Sequence, residues 1–249
     1  MLGVGVSATT LEGALREVTR WVEQGDRRYV CLTSVHGVME SQRNGELLRI
    51  HNDAGLTIAD GLPLLWAGRI AGASNMERLR GSDFLIALCD LAATRGWSCF
   101  FFGGAPGTPE LLAARLRARF PSLRVAGTYS PPFRPFQSSE NGQMVERINA
   151  SGADLVLVGL STPKQERWMA ANRVALDATA LVGVGMAFDV HAGLKPQAPL
   201  FIQKSGFEWL YRLAHEPRRL WRRYLWNVPR FLLHVLRRHP FMRPDTGAD

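Results

Sequence analysis

The feature that most constrains this chain is the alternation of short β-type segments with longer helical segments. Each β-type segment is rich in apolar, β-branched or aromatic residues, and amphipathic stretches with readable helix caps separate most of them. This spacing leaves room for crossover connections, so it predicts an α/β fold with a mostly parallel sheet. The predicted strands are Leu2–Val6, Tyr29–Thr33, Leu56–Ala59, Ser98–Phe102, Arg124–Gly127, Asp154–Gly159 and Ala178–Val184.

Beyond about residue 200 the β-type segments stop, and the sequence becomes helical and basic. From Trp209 to His239 it has eight arginines and one acid, Glu216, so this stretch carries +7 of the net charge of +8. Leucines and aromatic residues recur between the arginines at helical spacing. We therefore predict an α/β domain over residues 1–200, followed by a basic amphipathic helical appendage over residues 201–249.

The composition of this basic stretch leaves three interpretations open. Trp, Tyr and uncompensated arginines suit an anionic lipid surface, the charge alone suits nucleic acid as well, and a helical hairpin could instead pack on its own core. The interleaved aromatic residues favour lipid, so we expect no nucleic-acid partner. No run of about 18 apolar residues is present and the start does not resemble a signal peptide, so we expect peripheral contact from the cytoplasmic side.

Polar residues follow the predicted strands, and ligands of parallel sheets bind at the carboxyl ends of strands. Thr33, Ser34 and His36 follow one strand. Asp60, followed by Gly61, ends the next strand, where a carboxylate can act as a general base or bind a sugar hydroxyl. Asp is also a preferred N-cap residue, so a structural role for Asp60 stays open here.

Three further strand ends carry candidate groups. The glycines of the segment 103–107, with Gly103 and Gly104 first, allow backbone N–H groups to approach a phosphate, although a plain turn fits equally well. The turn 159–167 places Gln165 and Glu166 in a first helical turn. The turn after the last predicted strand leads to Asp189 and His191. The carboxylate of Asp189 could hold a ribose or a base edge.

Metal-binding and other catalytic signatures are missing from the sequence. There is no D-x-D, HExxH or GxSxG motif, and Cys31, Cys89 and Cys99 are expected to be buried reduced thiols. We therefore expect no metal and no cofactor. If a diphosphate leaves during the reaction, arginines and helix N-termini would have to stabilise its charge.

Taken together, these segments resemble the WecG/TagA/CpsF glycosyltransferases, glycosyltransferase family 26. The resemblance runs from about residue 3 to residue 232. The matching segments are ADG at 59–61, ER-x-x-G at 77–81, GGxPG at 103–107, ADLVLVGLSTPKQERW at 153–168, GVGMAFDVHAG at 183–193 and GFEWLYRLAHEPRRLWRRYL at 206–225.

The resemblance implies a bacterial enzyme of cell-surface polysaccharide synthesis with a single Rossmann-like domain and a helical appendage. It implies inverting, metal-independent transfer of a hexose or N-acetylhexosamine from a UDP-sugar to a polyprenyl-diphosphate-linked acceptor. The expected location is cytoplasmic, peripheral on the inner face of the plasma membrane. The resemblance leaves open the identity of the donor sugar. It also leaves open the oligomeric state, that is, whether the chain forms a homo-oligomer.

The resemblance also assigns expected roles to individual residues. Asp60 falls where the family has its proposed base, Asp189 where it holds the nucleotide, and Thr33, Arg78 and Gln165 near substrate. Three appendage arginines are expected to close over the diphosphate (Arg212, Arg219 and Arg222), and three more to face lipid headgroups (Arg230, Arg237 and Arg238). This chain departs from the family at two positions near the expected pocket, His36 and Gln197.

Two alternatives to a glycosyltransferase each fit part of the sequence. A non-enzymatic nucleotide- or nucleic-acid-binding module with a basic C-terminal arm fits the charge, but it does not account for the polar groups in the turn 161–167. A sugar-nucleotide epimerase or dehydrogenase fits the sheet, but the sequence has neither a Tyr-x-x-x-Lys pair nor a dinucleotide-binding fingerprint.

Overall fold

One parallel sheet forms the centre of the molecule. The computed structural model describes residues 1–134, 137–199, 201–202 and 208–237, apart from the side chains of Arg219, Arg223 and Leu236. In this part the sheet has six strands in the order β2-β1-β6-β5-β3-β4, and every neighbouring pair is parallel. The α/β prediction is thus confirmed. The strands are β1 (Arg28–Thr33), β2 (Leu56–Ala59), β3 (Ser98–Gly103), β4 (Arg124–Tyr129), β5 (Leu155–Gly159) and β6 (Ala180–Gly183).

Helices form the connections between the strands. The first of them shows how local sequence sets the bounds, since the Thr10 hydroxyl accepts a hydrogen bond from the Gly13 amide and Gly25 ends the helix with a φ of 68°. The helices of this unit are α1 (Leu11–Gln24), α2 (Val35–Ser41), α3 (Gly45–Asp53), α4 (Leu62–Ile70), α5 (Gly81–Arg95), α6 (Thr108–Arg119), α7 (Ser138–Ala150), α8 (Lys164–Asn172) and α9 (Ala187–His191).

Both faces of the sheet are buried, as expected for parallel strands covered by helices. Val30, Phe101 and Val182 belong to one apolar cluster, and alternate strand residues such as Cys31 and Phe102 belong to the cluster on the opposite face. The three cysteines are buried and unbridged, as the sequence predicted. This continuous packing holds the carboxyl ends of the strands rigidly in place.

The predicted strand Leu2–Val6 is wrong. Leu2 and Gly3 have φ angles of 50° and 81°, which turn the chain away from an extended path. The Gly5 amide then donates to the Asn52 side chain at 2.7 Å rather than to a neighbouring strand. Only Ser7 makes a bridge to the sheet, where its amide donates to the Thr57 carbonyl at 2.8 Å. The short helices α2 and α3 were not predicted.

The C-terminal helices lie against the α/β unit. They are α10 (Glu208–His215), α11 (Pro217–Trp221), a π-helical turn (Arg222–Trp226) and α12 (Asn227–Arg237). Helix α12 packs on α2 and α4, and Phe231 is fully buried there beside Val38 and Leu64. The predicted boundary between the α/β domain and the appendage falls between residues 200 and 201. Leu200 and residues 203–207 lie outside the described part.

We expect Phe231→Ala to lower the free energy of unfolding by about 3–5 kcal/mol, because it removes an aromatic ring from a packed core. Leu233, on the same helix, is 48% exposed. Leu233→Ala should therefore change stability by less than about 0.5 kcal/mol. Urea denaturation of both variants measures the difference. Equal, small effects would contradict the packing of α12 on the α/β unit.

Candidate active site

A cavity of about 470 Å³ lies at the carboxyl ends of four strands, β2, β1, β6 and β5. The C-terminal helices cover it, so its lining combines strand-end loops with residues of α10 and of the segment 220–229. The polar residues that line it are Ser34, His36, Asp60, Arg78, Ser161, Thr162, Gln165, Glu208, Arg212 and Tyr224. Five of the predicted site residues are therefore brought together here: His36, Asp60, Arg78, Gln165 and Arg212.

Asp60 stands directly after β2, where its amide donates to the Thr33 carbonyl at 2.8 Å. The N-cap position of α4 is held by Gly61, so Asp60 does not occupy the capping position. Its carboxylate instead accepts a hydrogen bond from the Gly81 amide. Asp60 thus presents its carboxylate to the cavity.

The segment Glu77–Gly81 is fixed on both sides of Arg78, and this directs Arg78 to the cavity. The Glu77 carboxylate accepts from the Leu11 amide at 2.9 Å, and the Leu79 amide donates to the Ala59 carbonyl at 3.0 Å. A Cβ atom on Gly81 would lie 2.8 Å from the Val184 carbonyl oxygen. The ER-x-x-G pattern therefore has a physical reason: the glutamate anchors, the arginine reaches the cavity, and the glycine allows close backbone packing.

The electrostatic environment of Asp60 suits a proton acceptor near neutral pH. Burial raises the pKa of the Asp60 carboxyl to about 6, and the negative charge of Glu208 acts in the same direction. Arg212, Arg78 and the Gly81 amide lower the pKa, but they do not cancel the effect of burial. A carboxylate with such a pKa is ionised at neutral pH and is more basic than an exposed one.

Glu208 is the charged lining residue that the sequence did not predict. It is the first residue of α10 and only 6% exposed. Its carboxylate forms ion pairs with Arg78 and with Arg212, the latter at 2.6 Å. Burial alone would raise the pKa of Glu208, but Arg212, Arg78 and Arg80 together hold it below its usual value. The one available signal was an acid immediately before an almost acid-free basic stretch.

A group of buried polar side chains forms the floor of the cavity. The Gln165 amide nitrogen donates to the Glu166 carboxylate at 3.2 Å, and the Thr162 hydroxyl donates to the same oxygen at 2.8 Å. The Gln165 carbonyl oxygen is buried and has no hydrogen-bond partner among the described residues. Gln165 also lines the cavity, so this oxygen is an unsatisfied acceptor in the cavity wall.

Thr33 lies behind the cavity wall rather than in it. It is 1% exposed, and its hydroxyl oxygen has no hydrogen-bond partner in the part of the chain that the structure describes. Both that oxygen and His51 Nε2 lie near Gly37. The structure therefore places Thr33 next to the site, one layer below its surface.

Gly103 and Gly104 do not line the cavity, because β3 lies beyond β5 in the sheet. Their φ angles are 128° and 77°. A Cβ atom on Gly103 would lie 2.6 Å from the Gly159 backbone, and one on Gly104 would lie 2.9 Å from the Thr108 side chain. Close packing of the turn explains both glycines, so the structure favours the plain-turn interpretation over a phosphate loop in this cavity.

Asp189, Gln197 and Arg222 also lie outside the lining of this cavity. The Asp189 carboxylate is 3.4 Å from Lys195 Nζ, and the same nitrogen is 2.7 Å from the Glu216 carboxylate. Lys195 lines a smaller neighbouring cavity of about 200 Å³. Gln197 lines that smaller cavity as well. Arg222 is exposed and stacks on the Trp221 ring at 5.2 Å. The side chain of Arg219 and all of Arg238 lie outside the described part.

The described residues contain neither a metal-binding cluster nor a membrane-spanning helix. No group of three or more His, Cys, Asp or Glu side chains is arranged to hold a metal ion in residues 1–134, 137–199, 201–202 and 208–237. Within the same ranges, no helix has the length and apolar character needed to cross a bilayer.

Comparison with known proteins assigns the family. The model of the glycosyl transferase WecG/TagA/CpsF family matches residues 1–244. The chain therefore belongs to this family and is a glycosyltransferase, which decides against the non-enzymatic binding module. One similar protein is the N-acetylglucosaminyldiphosphoundecaprenol N-acetyl-beta-D-mannosaminyltransferase of Bacillus spizizenii. It is 27% identical over 219 residues, which cover 88% of this chain and 82% of the relative.

We expect the Asp60 carboxyl to titrate with a midpoint near pH 6 in the free protein. Carbon-13 NMR of carboxyl-labelled aspartate measures this, with Asp60→Asn identifying the signal. In Arg78→Gln the midpoint should rise further, because a cation that stabilises the ionised form is removed. A midpoint near 4, the value of an unperturbed aspartate at about 3.9, would contradict the environment described for Asp60.

Proposed function

We propose that this protein is an inverting, metal-independent glycosyltransferase that moves a hexose or N-acetylhexosamine from a UDP-sugar to a polyprenyl-diphosphate-linked acceptor. The observation that carries the proposal is that Asp60, Arg78 and Arg212 line one cavity at the strand ends and that both arginines act electrostatically on Asp60. The relative from Bacillus spizizenii, whose printed name specifies an N-acetylglucosaminyl-diphosphoundecaprenol acceptor, supports this acceptor class.

In the proposed reaction Asp60 acts as the general base. It takes the proton of the acceptor hydroxyl as that oxygen attacks the anomeric carbon, and the bond from this carbon to the UDP oxygen breaks. A single displacement of this kind inverts the anomeric configuration. A positioned base contributes roughly 10²–10⁴ in rate, and a pKa of about 6 leaves Asp60 ionised at neutral pH.

Arginines are proposed to stabilise the leaving diphosphate. Arg78 and Arg212 line the cavity beside Asp60 and supply fixed positive charge where the leaving group would develop negative charge. Preorganised donors of this sort contribute about 3–4 kcal/mol each to a transition state. The proposed reaction therefore needs no metal ion.

The floor of the cavity is proposed to bind the donor. The carbonyl oxygen of Gln165, which has no partner among the described residues, would accept a hydrogen bond from a ligand N–H or O–H group, which a sugar hydroxyl, an N-acetyl group or a uracil ring can supply. His36 also lines the cavity, and its Nδ1 atom shares a hydrogen bond of 3.3 Å with the Asn227 side chain. This bond connects α2 to α12. Helices of both units would thus enclose the donor.

We further propose that the enzyme docks peripherally on the inner face of the plasma membrane, where a lipid-linked acceptor would be held. Trp66 of α4 and Leu225 line the cavity and are nevertheless 53% and 57% exposed. Ile70 and Trp226 add exposed apolar area nearby on the same elements. Arg230 stacks over the Trp226 ring at 3.8 Å, a position that suits a headgroup layer.

We expect Asp60→Asn to reduce sugar transfer by roughly 10²–10⁴, because it removes the base while keeping the shape of the side chain. A panel of UDP-sugars with a polyprenyl-diphosphate-linked N-acetylglucosamine acceptor in detergent, followed by UDP release, measures this. Asp90→Asn, on the exposed side of α5, is the matched control. Wild-type turnover in Asp60→Asn would exclude the base assignment, and no transfer from any UDP-sugar would exclude the donor class.

We expect the double variant Ile70→Ser, Trp226→Ser to bind anionic phosphatidylglycerol vesicles at least about tenfold more weakly, because each buried apolar side chain contributes about 1.5–3 kcal/mol. Vesicle co-sedimentation measures binding. Val174→Ser is the control, since Val174 is 90% exposed but follows α8 at the amino end of β6, away from the cavity. Equal binding by both variants and the wild type would argue against docking through α4 and the C-terminal helices.

A further inference from the structure

Glu208 is a buried charge with no assigned role. Removing a carboxylate from water is costly unless cations and hydrogen bonds surround it, so a side chain that is only 6% exposed needs defined partners. Its partners come from two separate parts of the chain. Arg212 is one helical turn further along α10, whereas Arg78 and Arg80 belong to the segment that follows α4.

This ion-pair cluster joins the C-terminal helices to the wall of the cavity. Glu208 accepts from Arg212 at 2.6 Å and from Arg78, and Arg80 approaches it to 3.9 Å. Arg78 also donates to the Asp60 carbonyl oxygen at 3.4 Å. A single carboxylate therefore holds together three arginines that would otherwise repel one another next to the proposed base.

We infer that Glu208 is a positioning residue: it fastens α10 to the segment 77–81 and holds Arg78 and Arg212 in place beside Asp60. The inference rests on the proposed function, since it assigns Glu208 to the reaction that Asp60 carries out. Glu208 does not need to touch the substrate for this role. It acts through the two arginines that line the cavity.

Glu208 also balances the charge around Asp60. Arg78 and Arg212 carry two positive charges, and Asp60 and Glu208 carry two negative charges. The Gly81 amide, from the start of α5, also donates to Asp60, and the remaining titratable side chains that line the cavity are His36 and Tyr224. Without Glu208, Asp60 would face two uncompensated cations, which would stabilise its ionised form and make it a weaker base.

Glu208→Gln tests the inference, because it removes the charge but keeps the size of the side chain. In the free protein, carbon-13 NMR should show the Asp60 midpoint moving to lower pH. In the transfer assay, the acid limb of kcat/KM should move to lower pH as well. At pH 8, kcat/KM should fall on the order of 10²-fold, because Arg78 and Arg212 stay attracted to Asp60 but lose the contact that fixes their orientation.

Glu216→Gln is the matched control. Glu216 is the other acid of the described C-terminal helices, and it bridges to Lys195 rather than to the arginines of the cavity. The same charge change there should leave the Asp60 midpoint and the acid limb in place. Glu208→Asp, which keeps the charge but withdraws it from the arginines, should give a midpoint between those of the wild type and Glu208→Gln.

An Asp60 midpoint that does not move in folded Glu208→Gln would overturn the inference, as would an equal movement in Glu216→Gln. If Glu208→Gln does not fold, as judged by circular dichroism, Glu208→Asp decides, and a wild-type midpoint in that variant overturns the inference. The NMR measurement needs no substrate. Failure of the wild type to transfer any sugar would therefore refute the proposed function separately.

Discussion

The cluster of Asp60, Arg78, Glu208 and Arg212 is the interaction on which the arrangement of this molecule depends. The sheet brings Asp60 to the end of β2, and the hydrogen bonds around the segment 77–81 direct Arg78 towards it. Arg212 arrives from a helix that follows all six strands in sequence. Opposite charges from the α/β unit and from the C-terminal helices meet in this buried cluster. The cavity is therefore complete only when the C-terminal helices lie over the strand ends.

The positions of the acids help to explain how one basic segment can close the cavity on one side and present arginines on the other. Residues 208–237 contain two acids, Glu208 and Glu216, and both form ion pairs with residues of the α/β unit or with cavity-lining Arg212. The apolar residues divide in the same way, with Phe231 buried in the core and Leu225 and Trp226 exposed. One side of the segment therefore closes the cavity, and the other presents arginines and apolar groups that suit a lipid headgroup layer.

Much of the fold and part of the site followed from local sequence patterns. Thr10 and Gly25 set the two ends of α1, as capping chemistry predicts. Residues after β1, β2 and β5 meet because parallel strands end at one edge of the sheet. Local patterns could not give the strand order, so Gly103 and Gly104 were placed at the ligand although β3 lies beyond β5. Nor could they reveal Glu208, whose role depends on contacts with residues about 130 positions away.

We propose that arginines, rather than a metal ion, neutralise the charge of the leaving diphosphate. The most direct test is the initial rate of UDP release by the wild-type protein, with saturating donor and lipid-linked acceptor, in excess EDTA and in millimolar magnesium. We expect equal rates in the two conditions, because Arg78 and Arg212 already supply positive charge beside Asp60. Loss of turnover in EDTA that added magnesium restores would contradict it.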